Sequence, residues 1–127
     1  MDCLKTIAAI AMGGSLGAVS RYYISVLAAQ KLGAGFPYGT LIVNITGCFI
    51  IGCFMVLATE RLAISPYWRL FVATGFLGGL TTFSSFGYET LKLVEEAQIA
   101  LAFWNVLLNM IAGLAATWLG MSITRIL

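Results

Sequence analysis

The chain has 127 residues, of which 61% are hydrophobic and only 9% are charged. A soluble domain carries about 25% charged residues, so this composition predicts a single integral membrane domain covering residues 1–127. Seven basic and five acidic residues give a net charge of +2, which is too small and too scattered for a nucleic-acid-binding surface. Histidine, the commonest general base and metal ligand, is absent, and no motif indicates an enzyme.

Four apolar stretches are long enough to cross a bilayer as helices, because about 20 residues at about 1.5 Å each span a ~30 Å hydrocarbon layer. They cover approximately residues 7–27, 38–58, 68–91 and 99–126. The first could be a cleavable signal peptide, but the three spans that follow favour an uncleaved helix. Short connections predict antiparallel neighbours. The expected fold is an all-α integral membrane protein with four transmembrane helices and both termini on one side.

The third span carries glycine and hydroxyl residues where a simple membrane helix would carry leucine and valine. These residues are Gly75, Gly78, Gly79, Thr81, Thr82, Ser84 and Ser85. Glycine destabilises a helix by about 1 kcal/mol per position, and backbone released from a helix in lipid needs protein, water or an ion as its partner. The pattern predicts a break in the third helix, a feature that marks ion sites in transport proteins. The alternative is close helix packing through GxxxG, which we favour for Gly13 and Gly17.

The basic residues are divided almost evenly between the two ends of the spans. Four would lie on the side of the N-terminus and three on or toward the other: Lys5, Arg61, Arg69 and Arg125 against Arg21, Lys31 and Lys92. The positive-inside rule therefore hardly distinguishes two orientations. The count leaves open whether the chain inserts one way or both ways, in which case two copies could pair antiparallel.

Inside the spans the polar residues are neutral. All five acidic residues lie at or near span ends, which weakens a proton-coupled mechanism because such a mechanism needs an embedded carboxylate. The neutral residues are Thr40 and Asn44 in the second span, the hydroxyl residues of the third, and Asn105, Asn109 and Thr117 in the fourth. Amide and hydroxyl donors can replace the hydration shell of a small anion without holding it as tightly as a fixed cation. Hydrogen bonding between helices is the alternative use of these side chains.

Four further residues have two possible roles each. Phe83 and Phe86 share a helix face with the hydroxyl residues, and their positive ring edges could line an anion path, although spacing alone favours lipid contact or packing. Arg21 lies near the end of the first span and would either extend to the interface or attract anions into a vestibule. Glu89 is either a solvated interfacial acid or a vestibule residue.

The run GFLGGLTTFSSF at residues 75–86 resembles the signature of the Fluc fluoride channels, also called the CrcB family. The similarity continues in GSLGA at residues 14–18, which leads to Arg21, and in GTLIVN at residues 39–44. The length of the chain and its four spans also agree. In the fourth span, Gly113 stands where a hydroxyl residue would be expected.

The resemblance implies a passive, fluoride-selective channel of the plasma (inner) membrane that relieves fluoride toxicity. It implies an antiparallel, dual-topology homodimer in membrane lipid, with two pores and a structural sodium ion at its centre. Main-chain carbonyls at positions matching Gly78 and Thr81 would bind the sodium ion. The pore and vestibule positions of the family match Asn44, Phe83, Ser84, Ser85, Phe86 and Glu89.

Two other classes share some of these features. A small proton-driven drug exporter has similar length and four helices, but it needs a carboxylate in the first helix, and residues 7–27 contain none. A structural membrane subunit would need neither a broken helix nor paired asparagines.

Overall fold

The computed structural model describes residues 1–127 and consists of helices joined by short loops. The helices are α1 (Cys3–Leu32), α2 (Tyr38–Arg61), α3 (residues 66–80), α4 (Phe83–Glu95) and α5 (Ile99–Ile126). Helices α3 and α4 together form the third span. By length and composition, four segments can cross a membrane, with α3 and α4 counted as one. Helices α1 and α2 extend several residues beyond the apolar stretches that predicted them.

Local signals explain where the helices begin and end. The Asp2 carboxylate caps α1 by accepting a hydrogen bond from Leu4 N–H at 3.0 Å. Gly33 follows the last turn of α1 with a φ of +89°, a conformation that favours glycine after a helix. Ser65 precedes α3, and Pro66 occupies its first position, where the missing N–H has no helical partner in any case.

Alternate spans pack side by side through glycines. A Cβ atom at Gly13 would overlap the carbonyl oxygen of Phe71, and one at Gly17 would overlap that of Phe76. The partner residues advance along both helices together, so α1 and α3 are parallel. Gly75 and Gly79 face the same contact from α3, against the backbone of α1. Packing therefore accounts for all four of these glycines, and we call this contact the first glycine seam.

The second glycine seam joins α2 and α5, which are also parallel. Gly52 lies against the backbone of Thr117, and Gly120 lies against the backbone of Phe49. At the end of this seam, Glu60 and Arg125 form an ion pair at 2.7 Å. All three cysteines are free thiols, and Cys53 contacts the Gly120 carbonyl across this seam.

Large apolar side chains cover the outside of the helices. Leu16, Leu114 and Trp118 are each more than half exposed, as expected for surfaces that face lipid or another membrane protein. Within the helices, residues 57–61, 70–77 and 108–112 have the wider π-helical hydrogen-bonding pattern. Such turns are frequent at functional sites, and the one in α5 contains Asn109.

Candidate functional site

Two residues with extended backbone interrupt the third span. Thr81 has φ −85° and ψ 155°, and Thr82 has φ −152° and ψ 122°. The interruption follows the glycines of the first seam rather than coinciding with them. Thr82 caps α4, because its Oγ1 accepts a hydrogen bond from Ser85 N–H at 3.1 Å.

Asn44 of α2 replaces the helical hydrogen bonds that Thr82 has lost. The Thr82 N–H donates to Asn44 Oδ1 at 2.8 Å, and Asn44 Nδ2 donates to the Thr82 carbonyl at 3.1 Å. The second proton of Asn44 Nδ2 goes to Asn109 Oδ1 at 2.9 Å. The Asn44 side chain thus binds the extended backbone in both directions, and both of its donor protons have protein acceptors.

A cavity of about 330 Å³ lies beside the interruption. We call it the central cavity. Helices α2, α3, α4 and α5 all contribute to it, and its polar lining includes Asn44, Thr81, Thr82 and Asn109. No aspartate, glutamate, lysine or arginine lines it. The central cavity therefore offers neutral polar groups and aromatic rings, and no charged group to a solute.

Phe83 and Phe86 both line the central cavity. Their ring centroids are 5.4 Å apart, with the planes inclined at 55°. Phe86 is buried, whereas Phe83 is 74% exposed, so one ring is fixed by packing and the other projects from the surface of the single chain. Tilted rings present edges, which carry partial positive charge.

The hydroxyl residues of α4 lie at its first turn. The oxygens of Ser84 and Ser85 are both 3.2 Å from Thr82 Oγ1. Neither serine is among the residues that line the central cavity. Ser84 is exposed and Ser85 is half-buried, so their hydroxyl groups form a small cluster at the interruption.

The three candidate residues of α5 occupy different environments. Asn109 is buried, lines the central cavity and bonds to Asn44. Asn105 is completely buried, one turn away from Asn109. Thr117 donates its hydroxyl proton to the Gly113 carbonyl of its own helix at 3.1 Å. Asn105 and Thr117 line neither this cavity nor the one described next.

Thr40 and Glu89 meet in a second cavity, also of about 330 Å³, near the start of α2. The Thr40 hydroxyl donates to Glu89 Oε1 at 2.8 Å, while Glu89 Oε2 is buried without a partner. Arg21 does not join them. It lies eleven residues before the end of α1, about 16 Å along the helix axis, because α1 continues well past the predicted span. Its placement near a helix end was therefore wrong.

The interruption changes the bonding of two carbonyl groups that the resemblance assigns to sodium. In a continuous helix, the Gly78 carbonyl would accept from Thr82 N–H, which here donates to Asn44. The Thr81 carbonyl would accept from Ser85 N–H, which here donates to Thr82 Oγ1. Both oxygens are therefore released from their usual helical donors, and main-chain carbonyls of this kind can replace the hydration shell of an alkali-metal cation.

Gly47, Cys48 and Ile51 also line the central cavity, and residue-type reasoning missed them. They follow Asn44 at three, four and seven residues, the spacing of one helix face. That periodicity could have identified them. A Cβ atom at Gly47 would overlap the methyl group of Thr81, so the absence of a side chain there makes room for the interruption.

Comparison with known proteins agrees with this architecture. Residues 8–121 match the family model described as CrcB-like protein, Camphor Resistance (CrcB). A protein of Shewanella amazonensis is 51% identical over 87% of this chain and 89% of its own length. A Roseiflexus protein is 50% identical, covering 95% and 98%, and a Geobacter protein is 47% identical, covering 93% and 95%. All three relatives are named fluoride-specific ion channel FluC. A match of this extent means that the chain belongs to the CrcB family.

Proposed function

We propose that this chain forms a channel through which fluoride ions leave the cell passively, so that it is a transport protein rather than an enzyme. The relatives that carry the name of a fluoride channel match it over nearly its whole length. The observation that carries the proposal is the central cavity, which is lined by neutral polar groups and aromatic rings with no charged side chain. Such a lining can bind a small anion without trapping it.

The groups that meet fluoride in this proposal are the ring edges of Phe83 and Phe86, which line the central cavity. The hydroxyls of Ser84 and Ser85, which lie beside the cavity at the interruption, also meet the ion. Hydroxyl protons can rotate toward an ion, whereas both protons of Asn44 Nδ2 already have acceptors. Asn44 and Asn109 border the same path from α2 and α5. Thr40 and Glu89 form a vestibule at one end. Arg21 lies outside that cavity, and in this proposal its positive charge attracts anions toward the protein.

The working unit in this proposal is a homodimer of two antiparallel copies. Phe83 is 74% exposed in the single chain, although it lines the central cavity, so a second copy would complete the wall at this point. The nearly even distribution of basic residues is compatible with insertion in both orientations. The protein is a multi-pass membrane protein, which in a bacterium places it in the inner membrane.

A sodium ion at the centre of the dimer fits the released carbonyl groups. Gly78 is exposed on the surface of the single chain, and the carbonyls of Gly78 and Thr81 have lost their usual helical donors. These two oxygens from each copy would hold the ion, which would supply a fixed positive charge between the subunits and stabilise their contact.

Fluoride efflux from liposomes tests the function. Purified protein is reconstituted with fluoride inside, and release is read with a fluoride electrode, with chloride in a parallel sample and no proton gradient. We expect rapid fluoride release that stops when the gradient is spent, and no chloride release. Release that requires an imposed proton gradient would instead favour a proton-driven exporter, and the absence of release from correctly assembled protein would reject the proposal.

A further inference from the structure

Thr90 of α4 lines neither cavity, yet its hydroxyl group joins two elements of the site. It donates its only proton to the Phe86 carbonyl at 2.7 Å. The same oxygen lies 2.9 Å from Asn105 Nδ2. Because a hydroxyl has one proton, the Thr90 oxygen can only accept at the second contact. Thr90 therefore requires that the NH2 end of the Asn105 amide point toward it.

The orientation of the Asn105 amide in turn determines the orientation of the Asn109 amide. With its NH2 group turned toward Thr90, Asn105 presents Oδ1 on its other side, where it accepts from Asn109 Nδ2 at 3.0 Å. Asn109 Nδ2 also donates to the Asn105 main-chain carbonyl at 2.8 Å. Both protons of the Asn109 amide are then used, so its Oδ1 is left as an acceptor toward Asn44.

The contacts of Asn44 with the Thr82 backbone independently require the same orientation of these amides. Asn109 Oδ1 accepts from Asn44 Nδ2, whose second proton goes to the Thr82 carbonyl. Thr82 N–H can only donate, and it meets Asn44 Oδ1. The Thr82 N–H at one end, and the Thr90 hydroxyl that donates to the Phe86 carbonyl at the other, thus require the same orientation of the three amides. We call Thr90, Asn105, Asn109 and Asn44 the amide chain.

We infer that Thr90 is a positioning residue that holds the extended backbone of Thr82 in place through the amide chain. The hydrogen bonds of the amide chain start at Thr90 in the third span, continue through the asparagines of α5 and α2, and end at Thr82, again in the third span. Asn105 is completely buried, so without the Thr90 acceptor its NH2 group would have no water to turn to. An unpaired buried donor is costly, and rotation of the Asn105 amide to escape that cost would set its NH2 group against the NH2 group of Asn109, so that two donors face each other.

Two substitutions of Thr90 separate this role from a loss of side-chain volume. Thr90→Val keeps the shape and removes the hydroxyl, whereas Thr90→Ser keeps the hydroxyl and removes only a methyl group. The first measurement is hydrogen–deuterium exchange of a peptide that contains the Thr82 amide, in the assembled full-length protein. Fluoride efflux is the second measurement, and it alone rests on the proposed function.

We expect Thr90→Val to accelerate exchange at Thr82 about tenfold or more, because an unpaired buried group shifts such equilibria by about that factor. Thr90→Ser should remain near the wild type, and peptides of α1 should not change in either variant. Fluoride efflux should fall in Thr90→Val and not in Thr90→Ser. If Thr90→Val does not assemble, Thr90→Cys, with its weaker acceptor, should give an intermediate acceleration.

Three results would overturn the inference. They are equal exchange at Thr82 in the valine and serine variants, acceleration confined to the amides next to residues 86 and 90, and uniform acceleration throughout the protein. If the wild type releases no fluoride while exchange at Thr82 still differs between the two variants, the proposed function fails and the positioning role stands.

Discussion

Replacement of Asn44 by aspartate tests whether its amide group holds the interrupted backbone. The carboxylate keeps an acceptor for Thr82 N–H but loses both donors, so the Thr82 carbonyl and Asn109 Oδ1, now 3.1 and 2.9 Å from Nδ2, would face a negative oxygen. A buried acceptor that loses its donor costs about 1–3 kcal/mol, so two amount to roughly 2–6 kcal/mol. At about 1.4 kcal/mol per tenfold change, fluoride efflux should fall about 30-fold or more.

The assay is efflux from liposomes, normalised to the amount of protein that elutes at the assembled size in size-exclusion chromatography. Thr46→Val is the matched control, because Thr46 is exposed on the same helix two residues further on and takes no part in the amide chain. We expect full efflux from this control. Undiminished efflux from correctly assembled Asn44→Asp protein would show that the bonds to Thr82 and Asn109 are irrelevant to conduction.

Three further predictions concern the aromatic rings, the first glycine seam and the orientation. Phe83→Ile should lower fluoride efflux roughly 2- to 12-fold, since a ring-edge contact is worth about 0.5–1.5 kcal/mol. Phe103→Ile, at an exposed position of α5, should not lower it. Equal efflux from both would remove Phe83 from the pore. Gly17→Ala should destabilise the protein by about 1–3 kcal/mol, seen as a lower melting temperature in detergent. Gly87→Ala has open space around it and should melt at or slightly above the wild-type temperature, because alanine is the better helix former. The reverse order would contradict the packing described. An N-terminal tag in cells should be accessible from both sides of the membrane, and labelling from one side only would refute dual topology.

The helical architecture followed directly from the sequence. Long apolar stretches have few alternatives to membrane helices. The GxxxG spacing of Gly13 and Gly17 predicted close packing against another helix, and only the structure identifies that helix as α3. The glycine and hydroxyl content of the third span indicated an interruption near its middle, but not its position. The glycines of α3 pack against α1, and the backbone becomes extended only at Thr81 and Thr82.

The roles of the asparagines were beyond sequence reasoning, because donors for an ion and hydrogen bonds between helices require the same residue types. Both interpretations of Asn44 and Asn109 were open until the contacts with Thr82 were known. Thr90 gave no signal, since a threonine in a helix commonly bonds to its own backbone. Arg21 was misplaced because the end of α1 was set by hydropathy, whereas the helix continues to its glycine cap at Gly33.

The two glycine seams also constrain the order of events during synthesis. They join alternate spans, and the bond between Asn44 and Asn109 connects residues 65 positions apart. The second span therefore enters the bilayer with a polar amide whose partners have not yet been made. Until the ribosome has delivered the fourth span, that amide needs water or the insertion machinery as its partner, so the nascent chain should dwell beside the translocon and integrate as one unit after its last helix emerges.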